Sequence, residues 1–446
     1  GAPAEGSAPA GAGATCVPLA NRGSHYTVRA AVGTPPKALD LLVDTGSDAL
    51  IVNSCQCRQE KGCNDDEKCF SPHKSSSFNQ SHEFKGHAHK ATMLFGSGLI
   101  ESRIASDVVR VGDASADMTS GLFLLVSRKL NIDDKFEGIL GLGPPHEAPE
   151  ASNASRLLDP YGFLEAAGVD RFSLCLNRGG RGFLRLRTAR QPAPLGSVAK
   201  AHWGLTLQGV SIGDWRLRGI CTAPDERCAA MPDSGTTLIS APKEQLKVLF
   251  DHLCEHWPRC NASFLENPYQ TKNRWFHLER LLLDCHDWAG LPGMELNASA
   301  INAELPHLRF TLVGSGGERQ RLLLRGEDYL AHMLTATYLT SAHWLGSQPL
   351  AYQGKKRKIC SPAFHPMNTT SSNLGAIWIM GLPILHKYQV SFDRGSQPPS
   401  LSFAEGPCDG CDEVRLHAGG PRSAGGRGLL WLDEPPRLSP LALEGL

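Results

Sequence analysis

A chain of 446 residues is longer than the roughly 100–200 residues of a typical domain, so two domains or one large bilobal unit is expected. Forty-five basic residues offset 45 acidic ones, which argues against nucleic acid or an anionic membrane surface as a partner. The composition, 41% hydrophobic and 20% charged, is that of an ordinary soluble globular protein, and no apolar run reaches the about 18 residues of a membrane span.

Residues 1–15 are almost all Gly, Ala, Pro, Ser and Glu. That composition buries too little apolar surface to order a chain, so a disordered leader is expected. With neither an initiator Met nor a signal-like apolar segment, the chain reads as trimmed at its start. Short apolar or alternating runs then lie between Gly, Pro and Asn breaks at 26–32, 39–43, 104–111, 122–126, 183–186, 205–212, 308–313, 377–380 and 388–392. Each predicts a strand. Helical patterns are fewer: 157–167, 243–254 (with Val248, Leu249 and Leu253 on one side) and 275–283. Because strands do not alternate with helices, a mainly β fold of sandwich or barrel-like class is expected rather than α/β. A Pro- and Gly-rich tail at 412–446, whose one apolar patch is Leu429-Leu430-Trp431-Leu432, is expected to be disordered.

An internal repeat divides the body. Leu41-Leu42-Val43-Asp44-Thr45-Gly46-Ser47 returns 189 residues later as Ala230-Met231-Pro232-Asp233-Ser234-Gly235-Thr236. Each copy is followed by an apolar-apolar-Gly segment, Ile139-Leu140-Gly141 and Ile379-Met380-Gly381. Two homologous β lobes are therefore expected, at 16–195 and 196–411. Their boundary should lie near 191–200, where Pro192 and Pro194 interrupt the pattern.

A strand that ends in Asp, a small hydroxyl residue and Gly places a carboxylate on a tight turn. Gly46 and Gly235 let backbone N–H groups approach it, and the hydroxyls of Thr45, Ser47, Ser234 and Thr236 can fix the carboxyl planes. If two such turns meet across a pseudo-two-fold axis, Asp44 and Asp233 become neighbours that cannot both ionise readily and so share a proton. One then serves as general base on a water while the other polarises a substrate carbonyl. The outcome is peptide hydrolysis without metal, cofactor or covalent intermediate.

The fourteen cysteines, an even number, and Asn-x-Ser/Thr acceptors at Asn79, Asn153, Asn261, Asn297 and Asn368 favour an oxidising, secretory context. Cys55, Cys57, Cys63 and Cys69 fall within 15 residues. Four thiolates in tetrahedral array would make a zinc knot, but no Cys-x-x-Cys pair opens the cluster, and a disulfide-stapled insert at 55–69 is expected. His256 and His286 stand near Cys254, Cys260 and Cys285, where disulfide loops explain the cysteines better than a metal does. Asp48 reads as an exposed turn residue, and Lys355-Lys356-Arg357-Lys358 as a solvated loop or processing site. Ser173 and Ser240 lack a His/Asp arrangement that would make them nucleophiles.

The ordered motifs resemble the pepsin-like aspartic protease family over about residues 22–405. They are Leu42-Val43-Asp44-Thr45-Gly46-Ser47, Phe136-Glu137-Gly138-Ile139-Leu140-Gly141-Leu142-Gly143, Phe172-Ser173-Leu174, Asp233-Ser234-Gly235-Thr236-Thr237, Trp378-Ile379-Met380-Gly381 and Val390-Ser391-Phe392-Asp393. The resemblance implies a bilobal β fold with a cleft that takes an extended peptide or protein substrate, acting as a monomer with no cofactor. A catalytically silent peptide- or protein-binding member of the same fold is the alternative, and a glycoprotein whose insert recruits a partner is a third.

The resemblance also places a flap hairpin at 90–102. Its tip here is Phe95-Gly96-Ser97-Gly98, where the family usually has Tyr first. The Trp that often partners that Tyr is replaced by Ile51, so both halves of the polar contact are apolar. The insert, together with Asp44-Thr45-Gly46-Ser47-Asp48, is similar to the nepenthesin-type subgroup, and Phe172-Ser173-Leu174-Cys175-Leu176 to plasmepsin V-like proteases. The family implies a short Cys221–Cys228 loop and a larger Cys285–Cys360 bridge. Cys254 with Cys260, and Cys408 with Cys411, are expected to pair locally, leaving Cys16 for Cys175.

Overall fold

A computed structural model describes residues 14–59, 68–80, 90–95, 98–130, 137–144, 162–223, 226–266, 273–289, 297–335, 357–367, 369–408 and 410–411. Cys63, Gly96, Ser97, Asn153 and Asn368 lie outside them, as do the tail at 412–446 and nearly all of the leader. The described residues are mainly β. The runs at 26–32, 205–212 and 308–313 form strands over those same residues. The alternating burial of Leu205–Ile212 and Leu308–Val313 shows why their pattern was readable: one face packs on the core and the other meets solvent.

Two sheets carry the architecture, one of 14 strands and one of nine among the described residues. The internal repeat appears in both as the same local arrangement. Strand Lys37–Asp44 runs parallel to Gly138–Gly141, with Asp44 opposite Gly141. In the other sheet, Cys228–Pro232 runs parallel to Gly375–Met380, with Pro232 opposite Met380. On its far side each apolar-apolar-Gly strand pairs antiparallel with the strand that leaves the Asp turn, Leu50–Asn53 in one case and Ile239–Ala241 in the other. Gly141 and Gly381 are glycines because a Cβ at either would lie within 2.5 Å of the backbone of the adjacent Asp turn.

The larger sheet also gathers the chain end. Tyr388–Asp393 pairs with Arg171–Cys175, and Ser400–Glu405 pairs with Leu195–Gly196. Strands from beyond residue 196 thus complete a sheet begun by the first half. Phe172 stacks on Phe392 at 4.7 Å, and Trp203 packs against Phe392 at 5.0 Å. Such aromatic contacts add about 0.5–1.5 kcal/mol each beyond the area they bury.

Most of the helices lie after residue 242. Lys243–His256 buries Leu246, Leu249, Phe250, Leu253 and Cys254, a stripe at three- and four-residue spacing; Val248, expected on the inner face, is only half-buried. The pattern at 275–283 lies within helix Arg274–Leu283. Of the pattern at 157–167, the described part is helical over Phe163–Ala166.

The disulfides depart from expectation at the chain ends. Cys16 bonds Cys411 and Cys175 bonds Cys408, each with a Cα–Cα distance of 5.4 Å; the expected Cys16–Cys175 and Cys408–Cys411 pairs do not form. The strand order explains this. Gly182–Leu186 lies between the strands that carry Cys16 and Cys175, so those residues are two strand spacings apart, about 9–10 Å, beyond the reach of a disulfide. Cys221–Cys228, Cys254–Cys260 and Cys285–Cys360 are bonded. So are Cys55 and Cys69, and Cys57 is disulfide-bonded as well. These cysteines are spent on cross-links, in keeping with an oxidising, secretory-pathway compartment. No helix among the described residues is long and apolar enough to cross a membrane.

Candidate active site

Asp44 is the last residue of its strand and Asp233 the first after the equivalent one, and both are fully buried. The two turns are locked by a reciprocal set of hydrogen bonds. The Thr45 N–H donates to Ser234 Oγ (3.1 Å), and the Ser234 N–H donates to Thr45 Oγ1 (3.0 Å). In turn, Thr45 Oγ1 donates to the Pro232 carbonyl (3.0 Å) and Ser234 Oγ to the Val43 carbonyl (2.8 Å). Each hydroxyl therefore accepts from the N–H just after the opposite Asp and donates to the carbonyl just before it, which satisfies buried backbone groups that would otherwise be unpaired.

The carboxyls are held in matching fashion. The Gly46 N–H donates to Asp44 Oδ1 (2.9 Å), and the Gly235 N–H to Asp233 Oδ1 (2.8 Å). Ser47 Oγ donates to the outer oxygen of Asp44 (2.5 Å), and Thr236 Oγ1 to that of Asp233. A Cβ added to Gly235 would sit 2.4 Å from Asp44 Oδ1 and 3.1 Å from Asp233 Oδ1. The space between the two carboxyls thus excludes any larger residue.

Both carboxyls are pushed above the usual carboxylate range. Burial is the main cause for Asp44, the nearby Asp233 charge adds to it, and the Ser47 and Gly46 bonds oppose it. Burial also dominates at Asp233, offset by bonds from Thr236, Asp44, Gly235 and Gly46. Two such buried neighbours resist ionising together, so they titrate as a pair that favours sharing one proton.

The hairpin strands Lys90–Phe95 and Gly98–Val111 pair antiparallel, with Phe95 opposite Gly98. Their root rests on an apolar cluster of Met93, Ile100, Ile104, Phe123 and Ile51. Ile51 is wholly buried there, an apolar seat in place of a polar contact. Asp48 is half-buried and interacts electrostatically with Arg394, rather than standing exposed. Asn79 and Asn297 are exposed and Asn261 is half-buried; Asn297 also caps its helix by accepting from the Ser299 N–H at 2.9 Å.

Two supports had no motif to announce them. Buried His202 places Nδ1 3.2 Å from the Gly46 carbonyl, and Trp203 Nε1 donates to the Leu142 carbonyl at 2.9 Å. Adjacent residues of one segment thereby brace the first Asp turn and the glycine-ended strand beside it. Their signal is a tertiary contact across 156 residues, which no local pattern carries.

Paired Asp turns on duplicated β units define the architecture of a pepsin-like aspartyl protease. The family model described as eukaryotic aspartyl protease matches residues 25–320. Renin-2 of Mus musculus is 24% identical over 394 residues, 85% of this chain and 80% of the relative. Chymosin of Camelus dromedarius is 27% identical over 388 residues, 85% and 81% of the two chains. Pepsin A of Rhinolophus ferrumequinum is 24% identical over 387 residues, 83% and 79%. The chain belongs to the eukaryotic aspartyl protease family, and its fold is the bilobal, mainly β fold of pepsin-like enzymes.

Proposed function

We propose that this chain is an aspartic endopeptidase in which Asp44 and Asp233 activate a water against a peptide carbonyl. The observation that carries the reading is the reciprocal Thr45–Ser234 lattice, which seats two buried carboxyls around the small space at Gly235. The ionised member of the pair takes a proton from the water as the water oxygen attacks the carbonyl carbon. The protonated member gives its proton to the carbonyl oxygen, forming a tetrahedral diol. The first acid then protonates the leaving nitrogen, the second recovers a proton from a diol hydroxyl, and the C–N bond breaks. The starting protonation states return without metal or covalent intermediate.

The substrate is an extended peptide lying between lobes at 16–195 and 196–411, under the hairpin tip Phe95, Gly96, Ser97 and Gly98. The apolar seat at Ile51 suits a flap that closes by packing. The cysteine-rich segment 55–69 supports a likeness to the nepenthesin-type and plasmepsin V-like subgroups, and the chain is read as a monomeric glycoprotein of the secretory pathway. The silent-binder alternative is not favoured, since both carboxyls and all four hydroxyls are present and hydrogen-bonded.

Cleavage of a randomised peptide pool from about pH 3 to 8, wild type beside Asp44→Asn and Asp233→Asn, tests this reading. Loss of at least about 10³-fold in both variants is expected, because each acid has a separate proton-transfer task. Cuts that survive in either variant would show that the chemistry lies elsewhere.

A further inference from the structure

Among the described residues, two groups outside the paired turns bring metal-ligand atoms together. Cys221, Glu226 and Cys228 converge, but the two thiols are joined in a disulfide, which leaves one carboxylate. The other group is His252, Glu255 and His256, in which one ligand atom from each residue lies within 4.8 Å of the others. These three side chains occupy positions i, i+3 and i+4 at the end of helix Lys243–His256, and that spacing puts them on one face.

The surroundings favour a cation. Leu246, Leu249, Phe250, Leu253 and Cys254 bury the inner face, while Glu255 is exposed and both histidines are half-exposed. His252 Nδ1 already lies 3.0 Å from Glu255 Oε2. The helix ends at these residues, where its partial negative charge attracts positive ions, and the Cys254–Cys260 disulfide staples the chain just beyond. The ring of Trp215, 68% exposed, stacks on His256 with centroids 5.8 Å apart. This contact limits the rotamers of His256 and places an indole beside the cluster.

We propose that His252, Glu255 and His256 bind a divalent transition-metal ion, with Zn²⁺ the best match. Two imidazole nitrogens and one carboxylate oxygen are its ligands, and a fourth position stays open to water. This donor set suits zinc or copper rather than calcium or magnesium. Tetrahedral zinc with bonds of about 2.0–2.1 Å needs ligand atoms about 3.4 Å apart. The present spread, up to 4.8 Å, closes by small rotations of side chains that face solvent. The site uses none of the residues assigned to peptide hydrolysis.

The test titrates the full chain with ZnCl₂ by calorimetry, and with CuCl₂ while tryptophan emission is followed. One saturable zinc site is expected, weakened at least about tenfold in His252→Ala and in His256→Ala, because each removes one of three ligands. Glu255→Gln should weaken it several-fold; this exposed position keeps the test open if a histidine variant fails to fold. Saturable copper quenching should be reduced in Trp215→Phe, which removes the indole stacked on His256. Stoichiometric zinc binding that persists unchanged in a folded His252→Ala/His256→Ala double variant would overturn the site. So would the absence of saturable binding in the wild type, or equal competition by Ca²⁺.

Discussion

At the first turn Ser47 and the Gly46 N–H hold Asp44, and at the second Thr236 and the Gly235 N–H hold Asp233, atom for atom. Beyond the turns the likeness ends. Leu50–Asn53 leads into the Cys55–Cys69 segment and, through Ile51, forms the seat of the hairpin. Ile239–Ala241 leads instead, through Pro242, into the long helix Lys243–His256. A repeated backbone therefore fixes where the carboxyls sit, while the segments that leave the turns build unlike surroundings, a hairpin seat on one side and a helix on the other.

The most severe way to break the symmetry is Gly235→Ala. Its methyl would press to 2.4 Å from Asp44 Oδ1, so one carboxyl must move. Displacements of about 1 Å at a reacting centre cost on the order of 10²-fold in rate, and at least that loss of peptide cleavage is expected, with the thermal transition retained. A gentler break is the pair Thr45→Val and Ser234→Ala. Each removes a hydroxyl that both accepts and donates across the turn interface, so each should cost about 1–3 kcal/mol in denaturant unfolding. Because the two hydroxyls serve one lattice, the double variant should lose clearly less than the sum.

What was legible in the chain follows the same division. The turns could be read because a carboxyl, a hydroxyl and a close backbone approach must come from consecutive residues. Strands such as Leu205–Ile212 could be read because one face is wet and alternation results. Leu50–Asn53 could not, since all four residues are buried and no alternation survives. Helices Pro258–Glu266 and Ala298–Glu304 are short; the first is anchored by Cys254–Cys260 and the second capped by Asn297. Tertiary anchoring of that kind overrides weak periodicity. The Cys16–Cys411 and Cys175–Cys408 bonds depend on strand order, and the brace from His202 and Trp203 on a contact between distant segments.

The smallest expected effects concern pH, and they sharpen the contrast between two buried acids and a half-buried base. Asp44 and Asp233 carry raised pKa values in the fold, so the folded state binds more protons than the unfolded one above the ordinary carboxylate range. Their contribution to stability is therefore present in acid and lost as pH rises through that window. Asp44→Asn should stabilise the protein near neutral pH by about 1–3 kcal/mol, with the gain shrinking toward acid. His386, beside the Tyr26 hydroxyl at 3.1 Å, has the opposite sign: burial, aided by Arg178, pushes its pKa down to about 3. It stays neutral in the fold while the unfolded chain takes up a proton, so its contribution is present above about pH 6.5 and lost on acidification toward 3. His386→Gln should therefore flatten the acid side of the stability profile and leave the neutral side nearly unchanged. Thermal melts of wild type and both variants across pH separate the two: curves that keep the wild-type slope on the acid side in His386→Gln, or on the neutral side in Asp44→Asn, would remove that group from the account.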